Sequence, residues 1–130
     1  MSLERVNPPS LATPRGFSHA VVGRGTVVFL AGQTALDPEG RIVGADVVAQ
    51  FEQALANLLT ALAAAGGRPD QLASLTVYAT DLADYRARAS EIGRVWRRLV
   101  GTDYPAMAGI GVSRLWDVEA LVEVQGFAVV

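Results

Sequence analysis

Few side chains in this 130-residue sequence have the makings of chemistry, and they are widely spaced. Glu123 lies between Val122 and Val124 in an otherwise apolar run. A carboxylate in such a setting needs a partner or a raised pKa, and groups of that kind concentrate at functional sites. Its two readings are a site carboxylate and an ion-pair partner for an arginine of a neighbouring subunit. His19 is the one histidine. It has no neighbours at metal-ligand spacing, and Ser18 beside it would point to the opposite face of a strand. His19 therefore reads as a loop-proximal or edge histidine rather than a catalytic one. Gly32 and Gln33 follow the apolar run Val27 to Ala31, where a glycine admits either a bulge or the close approach of a ligand. Gly109 and Gly111 share one strand face with Met107. That face lacks bulk, so another group must approach it, and packing is favoured over direct ligand contact.

Other chemistries are excluded by composition. There is no cysteine, hence no disulfide, thiolate nucleophile or thiolate metal site. No phosphate loop, nucleophile elbow or metal motif is present, and neither a metal nor a cofactor is expected. Eleven basic against 13 acidic side chains give a net charge of -2, without the basic footprint that nucleic acid or an anionic membrane requires. With 51% hydrophobic and 18% charged residues the composition is globular. No apolar run approaches the ~20 residues of a membrane span. The N-terminus lacks an apolar signal core, so a cytoplasmic location is expected.

The elements that must position these residues follow from periodicity. Asn7 to Gly16 is rich in turn residues and reads as a loop after at most a short edge strand. Ser18 to Gly23 and Thr26 to Gly32 are apolar and β-branched, and their spacing suggests a hairpin across Arg24-Gly25. Asp37-Pro38-Glu39-Gly40 is a turn signature. Asp46 can cap a helix from about Val47 to Ala65, with Val47, Phe51, Ala54, Leu55, Leu58, Leu59 and Leu62 on one face and Gly66-Gly67 ending it. A strand over Leu72 to Thr80 follows. Asp84 can then cap a second helix, about Tyr85 to Leu99, that stops at Gly101. Strands over Ala106 to Ser113 and Ala120 to Val130 close a single α+β domain, residues 1–130.

Alternation along the last strand puts Ala120, Val122, Val124, Gly126, Ala128 and Val130 on one side, small enough to lie under helices. The other side carries Leu121, Glu123, Gln125, Phe127 and Val129 and is still largely apolar. Two helices cover roughly one face of such a sheet. A bare second face exceeds what monomers tolerate, and burying each such side chain contributes ~1.5–3 kcal/mol, so self-association is expected.

Several segments, in this order, resemble the RidA (YjgF) family, which also goes by the name endoribonuclease L-PSP. They are Gly16-Phe17-Ser18-His19-Ala20, Val28-Phe29-Leu30-Ala31-Gly32-Gln33, Gln50 to Leu58, Val77-Tyr78-Ala79-Thr80-Asp81-Leu82-Ala83-Asp84-Tyr85, Tyr104-Pro105-Ala106 and Leu121-Val122-Glu123-Val124. The resemblance spans nearly the whole chain. It implies a chorismate-mutase-like α+β fold: a mixed sheet with two helices on one face, assembled into a homotrimeric barrel. It further implies a small-molecule pocket in each cleft between subunits, open to a keto or imino compound. Active members hydrolyse 2-imino or 2-enamino acids to 2-keto acids and ammonia. In those deaminases an arginine directly after the Pro-Ala pair forks onto the substrate carboxylate. Here that position is Met107, which has no charged donor.

The first-loop tyrosine of the family corresponds to Phe17, the serine before the strand-end glycine to Ala31, a helix asparagine to Ala89 and a cysteine to Gly109. Gly32 and Glu123 remain, Glu123 matching the glutamate thought to position or activate water. The resemblance thus implies a ligand cleft with Phe17, Ala31, Gly32, Ala89, Met107 and Gly109, and Glu123 as its one catalytic candidate. Arg114 is not an obvious substitute for the missing arginine; Arg15 and Arg24 are the loop residues that could reach the cleft. Three readings follow: a binding protein or divergent enzyme without standard imino-acid deamination that takes a less polar or uncharged small metabolite, since the pocket is more apolar at Phe17, Ala31, Ala89 and Met107; deamination by Glu123 with a relocated cation; and ribonuclease or translation-inhibitor activity. The absent basic patch disfavours the last.

Overall fold

The computed structural model describes residues 3–130. Its elements are β1 (Glu4–Val6), β2 (Ala20–Val22), β3 (Val27–Gln33), α1 (Val47–Ala64), a 3-10 turn at Pro69–Gln71, β4 (Leu72–Ala79), α2 (Leu82–Ala87), α3 (Ala89–Leu99), β5 (Ala106–Gly111) and β6 (Val122–Val129). A four-stranded sheet runs in the order β3-β6-β4-β5, with β4 and β5 parallel and the other neighbours antiparallel. This is the mixed α+β sheet expected.

Helix α1 forms for the reasons its sequence offers. The Asp46 side chain accepts from the Ala49 N–H at 2.8 Å. Past Ala64, Gly66 takes φ +89, while Gly67 N donates to Leu62 O (2.9 Å) and Gly66 N to Ala63 O (3.0 Å), a Schellman ending. In length and hydropathy α1 would suit a membrane span. Instead Val47, Phe51, Leu55, Leu58 and Leu62 are buried in the core between helix and sheet. Gln50 is buried among them. Its amide donates to Gly44 O and Glu119 O, and its carbonyl accepts from Leu121 N (2.8 Å), tying the loop before β6 to the helix.

Two expectations are corrected. Strands β2 and β3 do not form a hairpin. β2 pairs with β1, Arg5 opposite Val21, and β3 pairs with β6, Phe29 opposite Phe127. Gly25, at φ +143, redirects the chain between them. Its missing Cβ would collide with the Val130 carbonyl, so the chain turns against β6 rather than back on β2. The helical segment after β4 is also two helices, not one. It begins earlier, where Asp81, not Asp84, caps α2 by accepting from Asp84 N (3.0 Å). It breaks at Arg88, whose guanidinium holds Glu91 in the first turn of α3 (2.9 Å) and Asp46 at the start of α1 (3.0 Å). These tertiary links act where no proline or glycine marks a break.

The helices cover one sheet face. Val122, Val124 and Ala128 of β6 are buried there with Leu75 and Val77 of β4. On the opposite face Phe29 is 77% exposed, Val27 49%, Ile110 42% and Phe127 40%. The second apolar face read from the alternation is therefore present and uncovered in a single chain. Gly126 sits on the helix-side face, where an added Cβ would run into the Ser74 carbonyl at a bulge in β4. A Gly126→Ala variant is expected to lose ~1–3 kcal/mol of stability through overpacking against backbone, read as a lower urea midpoint at unchanged slope.

Candidate functional site

The first group of site residues lies on the helix side of β5. Met107 pairs in register with Leu75 and Gly109 with Val77, both on the face under the helices. β5 is the sheet edge, and a cleft opens between it, α2–α3 and the loop preceding β2. One part has a volume of about 430 Å³ and is walled by Arg15, Phe51, Tyr85, Ala89, Trp96 and Met107 among others. An adjoining part of about 310 Å³ shares Gly16, Tyr85 and Met107 and adds Phe17 and Gly109. Nothing lies within 4 Å of where a Gly109 Cβ would stand, so this glycine borders open space and packing does not require it. Gly111 instead meets Leu82 at ordinary contact distance.

The loop that brings Phe17 to the cleft is anchored from below. Ser18 donates from its backbone to Pro105 O (2.9 Å) and from Oγ to Tyr104 O (2.7 Å), and the Arg5 guanidinium also reaches Tyr104 O (3.2 Å). Ser18 is thereby engaged as a clamp. His19 is a tether: its N–H donates to Asn7 Oδ1 (2.7 Å), its Nε2 bonds Ala12 O (2.7 Å), and its ring meets Phe17 edge-on at 5.1 Å. Trp96 stacks on Tyr104 at 5.8 Å, and Tyr85 meets Phe51 edge-on at 6.0 Å. Burial pushes the Tyr85 hydroxyl up to about 12, so it stays neutral.

The second group lies on the other face. Glu123 is opposite Tyr78 of β4. Across β6, the β3 register shifts between Leu30 (opposite Gly126) and Gln33 (opposite Val124), leaving Ala31 and Gly32 as a two-residue bulge. The Glu123 carboxylate lies where a Gly32 Cβ would be, so a side chain here would have to push the flexible end of Glu123 aside. Burial, and then the neighbouring Asp117 carboxylate, raise the Glu123 pKa above the ordinary glutamate value. Asp117 is itself held by Thr34 Oγ1 at 3.0 Å.

One chain therefore brings together Phe17, Ala89, Met107 and Gly109 in one place and Ala31, Gly32 and Glu123 in another, on opposite sheet faces. Of the cations weighed, Arg15 lines the cleft. Arg114 is turned onto its own loop, at Leu115 O (3.1 Å) and Trp116 O (3.3 Å). Arg24 is not in the cleft wall. Arg97, which the sequence reading missed, is. Its signal was the spacing Gly93–Arg97, one turn of α3. Among the described residues no group of three or more His, Cys, Asp or Glu side chains could hold a metal.

The family pattern for endoribonuclease L-PSP matches residues 8–130. A RutC family protein of Pyrococcus horikoshii is 32% identical over 116 residues, 88% of each chain. The 2-iminobutanoate/2-iminopropanoate deaminase of Salmonella typhimurium is 30% identical over 108 residues, 83% of each. Among solved structures, YyfB of Yersinia pestis, of the conserved Rid protein family, superposes with a TM-score of 0.90 at 32% identity, covering 100% of both chains. The chain belongs to the RidA (YjgF) family.

The raised Glu123 pKa has a sign. A carboxyl that holds its proton more tightly when folded contributes stability that is full below the unfolded pKa and is lost as pH rises through the folded one. Glu123→Gln removes that loss, so its urea midpoint should exceed the parent's at neutral pH and the gap should close toward pH 4. In Asp117→Asn the Glu123 titration, followed by carboxyl carbon NMR, should move back toward the ordinary value.

Proposed function

We propose that this chain acts as a homotrimer that binds a small metabolite in clefts between subunits, without the deamination of 2-imino acids by the usual route. The observation that carries this reading is Met107, which forms part of the cleft wall at the position where the family's deaminases present an arginine. A thioether cannot fork onto a carboxylate. A charge-assisted bond of that kind contributes roughly 1.5–3 kcal/mol, which corresponds to roughly 10- to 100-fold in binding or rate.

The division of the candidate residues supports a site between copies. Glu123 and Gly32 face away from Met107 within one chain, so a second copy docked on the exposed face is the arrangement that lets them meet. That face, with Phe29 and Phe127 in edge-on contact at 5.5 Å, supplies the apolar area such docking needs.

A second reading is an enamine or imine deaminase that uses Glu123 with a relocated cation. The raised Glu123 pKa and the 30% identity to a 2-iminobutanoate/2-iminopropanoate deaminase favour it. Ammonia release from freshly generated 2-iminopropionate separates the two. Under the first reading the protein gives no acceleration over buffer, while Met107→Arg gains activity that a further Glu123→Gln change removes. Acceleration by the unaltered protein establishes the second. For the assembly, Phe29→Asp should lower the sedimentation mass from trimer toward monomer with the far-ultraviolet circular dichroism unchanged; a trimeric variant would sink the proposed interface.

A further inference from the structure

The cleft beside Met107 has two arginines, Arg15 and Arg97, among its lining residues and no acidic residue. Arg15 enters on the loop that Ser18 clamps to the start of β5. Arg97 comes from α3 and lies back over Gly93, where an added Cβ would stand 3.3 Å from its Nη1. Elsewhere Arg88 is committed to Asp46 and Glu91, Arg98 to Glu52 and Arg41 to Asp37, while Arg24 and Arg86 stand exposed outside the cleft wall. Among the described residues neither Arg15 nor Arg97 takes a carboxylate or a hydrogen-bond partner, although the protein as a whole is acidic, with a net charge of -2. Two unpaired cations with no acid beside them leave a local positive field at the cleft, which an anion would satisfy.

Behind them the wall is apolar. Phe51, Ile92, Trp96 and Met107 line the same space. Its 430 Å³ lies within the range of pockets that enclose drug-sized molecules, ~300–1,000 Å³, and far exceeds what a three-carbon acid fills. A compact acid anchored at the arginines would leave that wall wet. A larger apolar body would displace the water.

We propose that Arg15 and Arg97 are the anion anchor of this cleft, and that its ligand is a monocarboxylate bearing an apolar body of aryl size. This rests on the reading of the cleft as a ligand site. The anchor stands on the loop and helix side of the cleft, so the charge lost at Met107 is supplied from different elements and grips the ligand from a different direction. The apolar body then lies toward Trp96 and Met107.

Calorimetric titration of the whole protein with phenylpyruvate, pyruvate and benzyl methyl ketone tests the idea, the ketone having the aryl body without the carboxylate. Phenylpyruvate should bind saturably, with pyruvate and the ketone each weaker by roughly 10-fold or more. Arg97→Gln and Arg15→Gln should each weaken phenylpyruvate and leave the ketone unchanged. Both side chains are exposed, so neither change disturbs the core. Ketone binding as tight as the acid's, or full phenylpyruvate affinity in both variants, overturns the anchor while the cleft remains a ligand site. Pyruvate binding as tight as phenylpyruvate overturns the apolar body. Binding of none of the three removes both the anchor and the ligand-site reading.

Discussion

The eight residues of β6 alternate between two environments, and the rest of the molecule is arranged around that alternation. Val122, Val124, Gly126 and Ala128 must be small, because α1 presses on them and the Ser74 carbonyl leaves no room above Gly126. Their alternates, Glu123, Gln125, Phe127 and Val129, have no helix over them. β6 is flanked by β3 and β4, so the same division is imposed on Phe29 and Tyr78 at its sides. The candidate site residues on strands, Gly32, Met107, Gly109 and Glu123, inherit their side of the sheet from this register. A slip of one residue would bury Glu123 under α1 and expose Val124.

The helix α1 was legible in the sequence almost to the residue, since Asp46, the apolar stripe and Gly66-Gly67 are all local signals. The pairing of β2 was not. Ala20–Val22 and Val27–Gln33 have the same apolar, β-branched character, and nothing in either states which partner it will take; the Gly25 turn against the Val130 carbonyl decides it. The break at Arg88 was hidden for a similar reason. It depends on Asp46, which is 42 positions away in the chain and adjacent in space. At the candidate site the residue types were legible and their grouping was not. Arg97 escaped notice because its place in the cleft depends on how α3 lies over β5.

The two candidate groups differ in what their surroundings do to charge. Around Glu123, burial and Asp117 favour the protonated acid, and Gly32 brings bare backbone to the carboxylate. Around Met107, the charges are both positive and come from residues that stand free of carboxylates. One surrounding thus favours a neutral acid and the other leaves positive charge unpaired. They lie on opposite faces, so one chain cannot combine them.

The same geometry separates the residues that hold the fold from those that line the cleft. The residues that hold the architecture, such as Gly126, Leu58 and Gln50, are packed against backbone or sealed in the core. Phe17, Ala89, Met107 and Gly109 line the cleft, and beside Gly109 there is open space where an added side chain meets nothing within 4 Å. Gly32 borders the carboxylate of Glu123, the far end of a flexible side chain, so it too is held by no rigid contact.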